Sequence, residues 1–269
     1  MRIGICAIAS PLEIPYLREW FDHHHAMGVN DFILFLNDWT AFDMVEFNKM
    51  FWREMNDKTI HPVRLDGPAM QYPAYNQGTA LAEALALDWV AFINIDEFMA
   101  IRSNRSLQDI LSDFADIPSL VLRWRLFSSG GQETIPLNED GTKNYSVRRF
   151  TKCCPRLEEL TKQFINLRYL RNNGIHPPHW TNPHYSSLMG GYDQRRRFQI
   201  GGINRFLDEV DELELNHYWS KSKEECRIRR DYRRVNDAKV LPWQKDYEDH
   251  LKRCTIDETE IHWKVNNTK

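Results

Sequence analysis

Trp89-Val90-Ala91-Phe92-Ile93-Asn94-Ile95-Asp96-Glu97-Phe98 is an apolar run that stops on two adjacent acids. With no polar alternation before the acids, residues 89–95 read as a strand buried on both faces. Apolar runs recur upstream at residues 2–9 and 32–36, the second closed by Asn37-Asp38, and residues 59–65 read as a third strand ending at Asp66-Gly67-Pro68. Between these strands the apolar period lengthens to that of a helix, over 14–27 (Ile14, Leu17, Trp20, Phe21, His24, Met27), 41–55 and 73–87. Continuous apolar strands alternating with helices predict an α/β fold, with a mostly parallel central sheet covered by helices on both faces.

Downstream, Ser106 is placed to cap a short helix and residues 119–127 read as another strand. The alternation then stops. Residues 128–190 carry Gly, Pro, Asn and His clusters and read as loop-rich, followed by a strand at 213–219, helices at 221–236 and 242–253, and a polar, frayed tail from Asp257.

The 269 residues fit one domain. Hydrophobic residues at 42% and charged residues at 27% exclude wholesale disorder. A net charge of -3 excludes a strongly basic nucleic-acid binder. The runs Arg195-Arg196-Arg197 and 227–234 read as a solvated strand edge and a solvated helix face, with a diphosphate or anionic acceptor as the alternative partner of the first. No apolar stretch is long enough to span a bilayer, which leaves at most peripheral membrane association. The opening residues read as a strand rather than a leader. Five cysteines without a paired C-x-x-C spacing argue against structural zinc and a disulfide scaffold, and fit a reducing cytoplasm.

In a parallel α/β sheet, ligands meet the carboxyl ends of the strands, where Asp96 and Glu97 fall. Oxygen ligands there suit a hard cation, Mn2+ or Mg2+. Such an ion would neutralise a leaving diphosphate. The reading requires Asp96 to face a cleft and not to be consumed in a salt bridge.

Four ordered motifs resemble one family. They are Ser10-Pro11-Leu12-Glu13 with Glu19-Trp20-Phe21-Asp22-His23-His24 and Gly28-Val29; Trp89 through Phe98; Trp124 with Phe127-Ser128-Ser129-Gly130; and Asn216-His217-Tyr218-Trp219-Ser220-Lys221-Ser222. Together they resemble the family-2-like and family-92-like glycosyltransferases of the glycosyltransferase-A fold, over roughly residues 1–235. The resemblance implies transfer of a sugar from a nucleotide-diphosphate sugar, UDP-sugars favoured, to a glycan or lipid-linked saccharide. It also implies a nucleotide-binding part over about 1–100 and an acceptor part over about 101–255. Three departures stand out: Asn94 replaces the first acid of the D-x-D pattern, Ser128 replaces a glycine, and Ser10-Pro11-Leu12-Glu13 lacks the Asn expected before Glu13.

Several further residues are candidates. Ser10-Pro11-Leu12-Glu13 matches a capping box, and the resemblance also puts base and ribose beside Ala9 and Glu13. Asp38 and Asp66 end strands and face the nucleoside or serve as turn residues. Gln71 and Asn76, with Tyr75 and Gln77, open the helix before the acids and are candidates for donor contacts with Asn94. Among the late histidines, His176 and His217 are candidates to complete the Asp96–Glu97 metal site, His176 ahead; zinc on His176, His179 or His184 is disfavoured. Glu133 and then Asp193 are candidates for the base that deprotonates the acceptor hydroxyl. Lys221, with Ser222 at a helix start, is a candidate for the diphosphate. Trp124 and Trp180 are the large aromatics able to stack on a sugar ring. Two rival readings are a binding module without turnover, which Asn94 keeps open, and a sugar nucleotidyltransferase, which the absence of a Gly-rich basic loop after the first strand disfavours.

Overall fold

The computed structural model describes residues 1–177, 190–199, 210–237 and 243–258, leaving aside the side chains of 233–237. The first half follows the expected alternation: β1 (Ile3–Ala9), α1 (Ile14–Ala26), β2 (Asp31–Asn37), α2 (Ala41–Asn56), β3 (Ile60–Leu65), α3 (Gln71–Ala84) and β4 (Trp89–Phe92). Strands β1 to β4 pair in parallel, in the spatial order β4-β1-β2-β3. Both faces are buried because residues of opposite parity meet different helices. Ile5 and Ala7 of β1 join Trp20 and Phe21 of α1 and Phe47 of α2 in one core. Cys6 joins Ala74, Tyr75 and Ala82 of α3 in a second core. Gly78 lets α3 approach β1 closely: a Cβ there would lie 2.3 Å from the Cys6 sulfur.

The chain continues through β5 (Glu97–Ile101), α4 (Leu107–Ser112), β6 (Ser119–Leu126), β7 (Lys152–Cys153), β8 (Thr161–Asn166), α5 (Leu167–Asn172), β9 (Gly191–Tyr192), β10 (Phe198–Gln199), β11 (Leu213–His217), α6 (Lys223–Asp237), α7 (Trp243–Arg253) and β12 (Ile256–Asp257). Ser106 caps α4 as expected, accepting from the Asp109 amide.

Three expectations need correction. The strand before the acids stops at Phe92, because residues 94–97 form a tight turn in which the Glu97 amide donates to the Asn94 carbonyl at 3.1 Å. The region read as loop-rich contains β8, every residue of which is buried. It runs antiparallel between β4 and β6 and turns a parallel sheet into a mixed one. Thirdly, Cys154 and Cys254 are disulfide-bonded across 100 residues of sequence. Cysteine spacing gives no sign of it, because the two positions meet only when the segment after β7 packs on the end of α7.

Asp257, placed in the frayed tail by the sequence, belongs to β12, which pairs with β7. No helix among the described residues is long and apolar enough to cross a membrane.

Candidate active site

Asp96 and Glu97 occupy the turn between β4 and β5, and α1 holds that turn from beneath. The Trp20 indole N–H donates to the Glu97 carbonyl at 2.9 Å and to the Asn94 carbonyl at 3.2 Å. His24 Nε2 accepts from the Met99 amide at 3.1 Å, and its Nδ1 faces the Trp20 carbonyl at 2.8 Å. His23 Nε2 lies 2.7 Å from the Met99 carbonyl. β5 has β11 as its strand partner, so these imidazoles serve backbone groups on its other edge. The Glu-Trp…His-His motif of α1 is thus the mounting of the acidic turn.

The Glu97 side chain folds back to accept from the Asn94 amide at 2.8 Å, and its other oxygen lies 3.7 Å from the Lys162 ammonium. Burial raises the Glu97 carboxyl above its usual range, against the pull of Lys162. Lys162 comes from β8 and also donates to Asn94 Oδ1 at 3.3 Å. Gln71 Nε2 donates to the same oxygen at 3.1 Å. Asn94 is therefore fixed by an amide, a phenol and an ammonium, which suits a neutral acceptor better than a second carboxylate competing with Glu97 for Lys162.

Asp96 is only partly available, and here the sequence reading is corrected. Its side chain is 3% exposed, and Oδ2 accepts from Arg229 of α6 at 2.5 Å. His217 Nε2, at the end of β11, is 3.7 Å from the same oxygen. Burial alone would raise this carboxyl, yet Arg229 and then His217 hold it well below the ordinary range. Asp96 Oδ1, Glu97 Oε1 and His217 Nδ1 are buried without a hydrogen-bond partner. Ligand atoms of Asp96, Glu97 and His217 lie within 4.8 Å of one another. Two carboxylates and an imidazole match the donor preferences of Mn2+, so the residues fit a divalent ion, provided Arg229 yields. Trp124 closes this side, its ring 4.5 Å from that of His217.

A pocket of about 200 Å3 is lined among others by Glu13, Tyr16, Trp219, Lys221 and Arg229; Asp96 is not in its lining and meets it through the Arg229 ion pair. Lys221 is buried with its ammonium 4.0 Å from the centre of the Tyr16 ring. Burial lowers its pKa to about 8, with Asp96 pulling the other way. It adopts a positive φ of 46° just ahead of α6, which begins at Lys223 and not at Lys221. Glu13 fulfils the capping-box reading, its carboxylate accepting from the Ser10 amide at 2.6 Å, and it also lines the pocket.

The remaining candidates separate. Ala9 ends β1 and its carbonyl accepts from Trp39. Asp38, at φ 57°, ties the ends of β2 and β3 by accepting from the Gly67 amide at 2.8 Å, while Asp66 is exposed beside it. Asn76 lies half-buried on α3. Three candidates are not brought to the acids. His176 is exposed after α5, which follows the β8 end paired with Trp89, at the opposite edge of the sheet from Asp96. Glu133 is 69% exposed and paired with Lys223 at 3.1 Å. Asp193 is buried in the turn between β9 and β10, where its oxygens accept from the Arg195 and Arg197 amides and pair with the Arg197 side chain at 2.7 Å. Arg195 and Arg196 are likewise spent on Asp211 and Asp116. His179, Trp180 and His184 lie outside the described residues.

Sequence reasoning missed Lys162 and Arg229. The second had a signal: Ser222, Glu225, Cys226 and Arg229 follow the spacing of one helix face, and the first three are buried. For Lys162 there was none, since β8 lacks a clean alternation.

These features define an α/β protein with a charged site at the carboxyl edge of a mostly parallel sheet. Residues 10–253 match the model of glycosyltransferase family 92, and the chain belongs to that family. A rice protein (Oryza sativa subsp. japonica), described as glycosyltransferase family 92 protein Os08g0121900, is 30% identical over 137 residues. The match covers 49% of this chain and spans only 22% of the relative's length. Among solved structures, HddC from Yersinia pseudotuberculosis aligns with a TM-score of 0.37 at 9% identity, over 69% of this chain and 83% of that one. The mannosyltransferase PcManGT from Pyrobaculum calidifontis, solved with GDP-Man and Mn2+, aligns at 0.40 and 11% identity, over 65% and 47%. Neither score reaches the level at which two folds count as the same.

Proposed function

We propose that the chain transfers a sugar from a nucleoside-diphosphate sugar to a hydroxyl of a glycan or lipid-linked acceptor, with a divalent cation, Mn2+ or Mg2+, at Asp96. Family membership supports the reaction class. The observation that carries the site is the cluster of Asp96, Glu97 and His217, whose ligand atoms lie within 4.8 Å of one another, with Asp96 Oδ1 buried and without a hydrogen-bond partner, next to a pocket that presents Lys221 and Arg229. An unpaired buried polar atom is costly and calls for a partner. When bound, the ion supplies charge neutralisation to the departing diphosphate.

The chain's own groups have separate tasks in this reading. Lys221 and Arg229 contact the diphosphate oxygens, Arg229 through its forked donors. Asn94, held by Gln71, Tyr75 and Lys162, presents its remaining amide donors to a ribose or sugar hydroxyl. Ala9, Glu13 and Asp38 border the nucleoside. Glu133 and Asp193 are not carried forward as the base, since one is on the exposed rim and the other is spent in a turn. UDP-sugars head the donor panel and GDP-sugars follow. The Cys154–Cys254 disulfide removes the ground for expecting a reducing cytoplasm and favours an oxidising compartment.

Donor turnover tests the reading. Cleavage of a nucleotide sugar that requires Mn2+ or Mg2+ and falls at least about a hundredfold in Asp96→Asn supports it, by analogy with the loss of other electrostatic stabilisers of a transition state. Nucleotide binding without turnover, unaffected by metal, would point to the binding-module alternative.

A further inference from the structure

Arg229 sits where the cation is needed. Its Nη1 donates to Asp96 Oδ2 at 2.5 Å and to the Trp219 carbonyl at 3.2 Å, and its side chain lines the pocket at 24% exposure. The surrounding charges already balance. Three carboxylates, Asp96, Glu97 and Glu13, act on the guanidinium of Arg229 and the ammonium groups of Lys162 and Lys221. A free divalent ion entering this cluster finds no surplus of negative charge and meets Arg229 on Asp96 in a region of low dielectric, which strengthens repulsion. A diphosphate entering with it reverses the sign and offers the guanidinium a better planar partner than one carboxylate oxygen.

We propose that Arg229 is a resident counter-ion that reserves Asp96 until a diphosphate arrives. It occupies Oδ2 in the ligand-free protein, swings to the phosphate when the nucleotide binds, and so exposes Asp96 to the metal. Metal and nucleotide then bind cooperatively, each raising the affinity for the other by the same factor. The inference rests on the proposed cation site and adds to it a positioning residue and an order of events. Pocket exposure gives the guanidinium room to turn, and the unpartnered Asp96 Oδ1 gives the ion its first contact.

The experiment measures Mn2+ binding by the paramagnetic resonance of the free ion, with and without UDP, then GDP, in the unaltered chain, R229Q, R229K and D96N. The unaltered chain is expected to bind Mn2+ weakly alone, and on the order of tenfold more tightly once a nucleoside diphosphate is present, within the usual range of coupling between sites. R229Q is expected to bind Mn2+ alone on the order of tenfold more tightly and to lose most of the nucleotide's effect. R229K, which keeps a charge with poorer reach, falls between and serves if a melting scan shows R229Q unfolded. If D96N abolishes binding but R229Q and R229K bind Mn2+ like the unaltered chain, the Arg229 inference fails and the cation site stands. If Mn2+ binding is absent or indifferent to D96N in every chain, the cation site fails and takes this inference with it.

Discussion

Trp20 shares one indole hydrogen between the carbonyls at the two ends of the acidic turn. Trp20→Phe keeps the ring packing against Phe32 and takes the indole donor from the buried Glu97 carbonyl, while the Asn94 carbonyl keeps the Glu97 amide. Such a loss costs about 1–3 kcal/mol, and a denaturant titration should find that drop together with weaker Mn2+ binding from a loosened turn. Lys221 gives a pH dependence. Burial sets its pKa at about 8, so the ammonium is present below that pH and lost above it. Affinity for UDP with Mn2+ should therefore decline between about pH 7 and 9, while K221R stays flat over that window because arginine keeps its charge. An equal decline in K221R would remove Lys221 from the diphosphate. At this scale the sequence displayed the chemistry but not the pairings. Asp96, Glu97 and His217 were all legible as candidates. The ion pair between Asp96 and Arg229 joins residues 133 positions apart, and no local pattern reports it.

Among the elements, α3 and β1 show how closely backbone packing is specified. Gly78→Ala would drive a methyl group into the Cys6 sulfur, and overpacking of this kind costs about 1–3 kcal/mol. Adding Cys6→Ala should restore part of that loss, because the sulfur is the nearest atom and the next, a Phe35 ring carbon, is at 3.2 Å. Thermal melts of the single and double variants read the coupling, and purely additive losses would contradict it. β1, β2 and β4 were readable because each is a short apolar run between helices with the 3.6-residue period, and β3, with His61 and Arg64 in it, because it falls between two such helices and ends at Asp66-Gly67-Pro68. β8 was not, since Thr161, Lys162, Gln163 and Asn166 are polar side chains buried by partners on β4, β6 and α3 that only the fold assembles. That strand delivers Lys162, so the unreadable element and the unread site residue are one omission.

Over the whole molecule, the Cys154–Cys254 bridge fastens the end of α7 to the segment after β7. Buried His250 of α7 contacts the Phe127 carbonyl and packs on Trp219, a wall of the pocket, so the bridge and the site share a helix. A cross-link closing a loop of this length is worth about 4 to 5 kcal/mol through the unfolded chain. Reduction, or Cys154→Ser with Cys254→Ser, should lower the melting temperature accordingly; a melt unmoved by reductant would show that the bridge does not form in solution. Mixed α/β architecture and family were legible from four ordered motifs, because each marks the end of a strand or the helix that mounts it.

The central claim is that Asp96 grips a divalent ion together with a nucleotide diphosphate, and crystals grown with UDP and Mn2+ test it through the anomalous signal of manganese. The account predicts a peak in bonding contact with Asp96 Oδ1, and Arg229 turned from Oδ2 towards the phosphates. Bound nucleotide with no peak at Asp96, and the Arg229 pair intact, would contradict it.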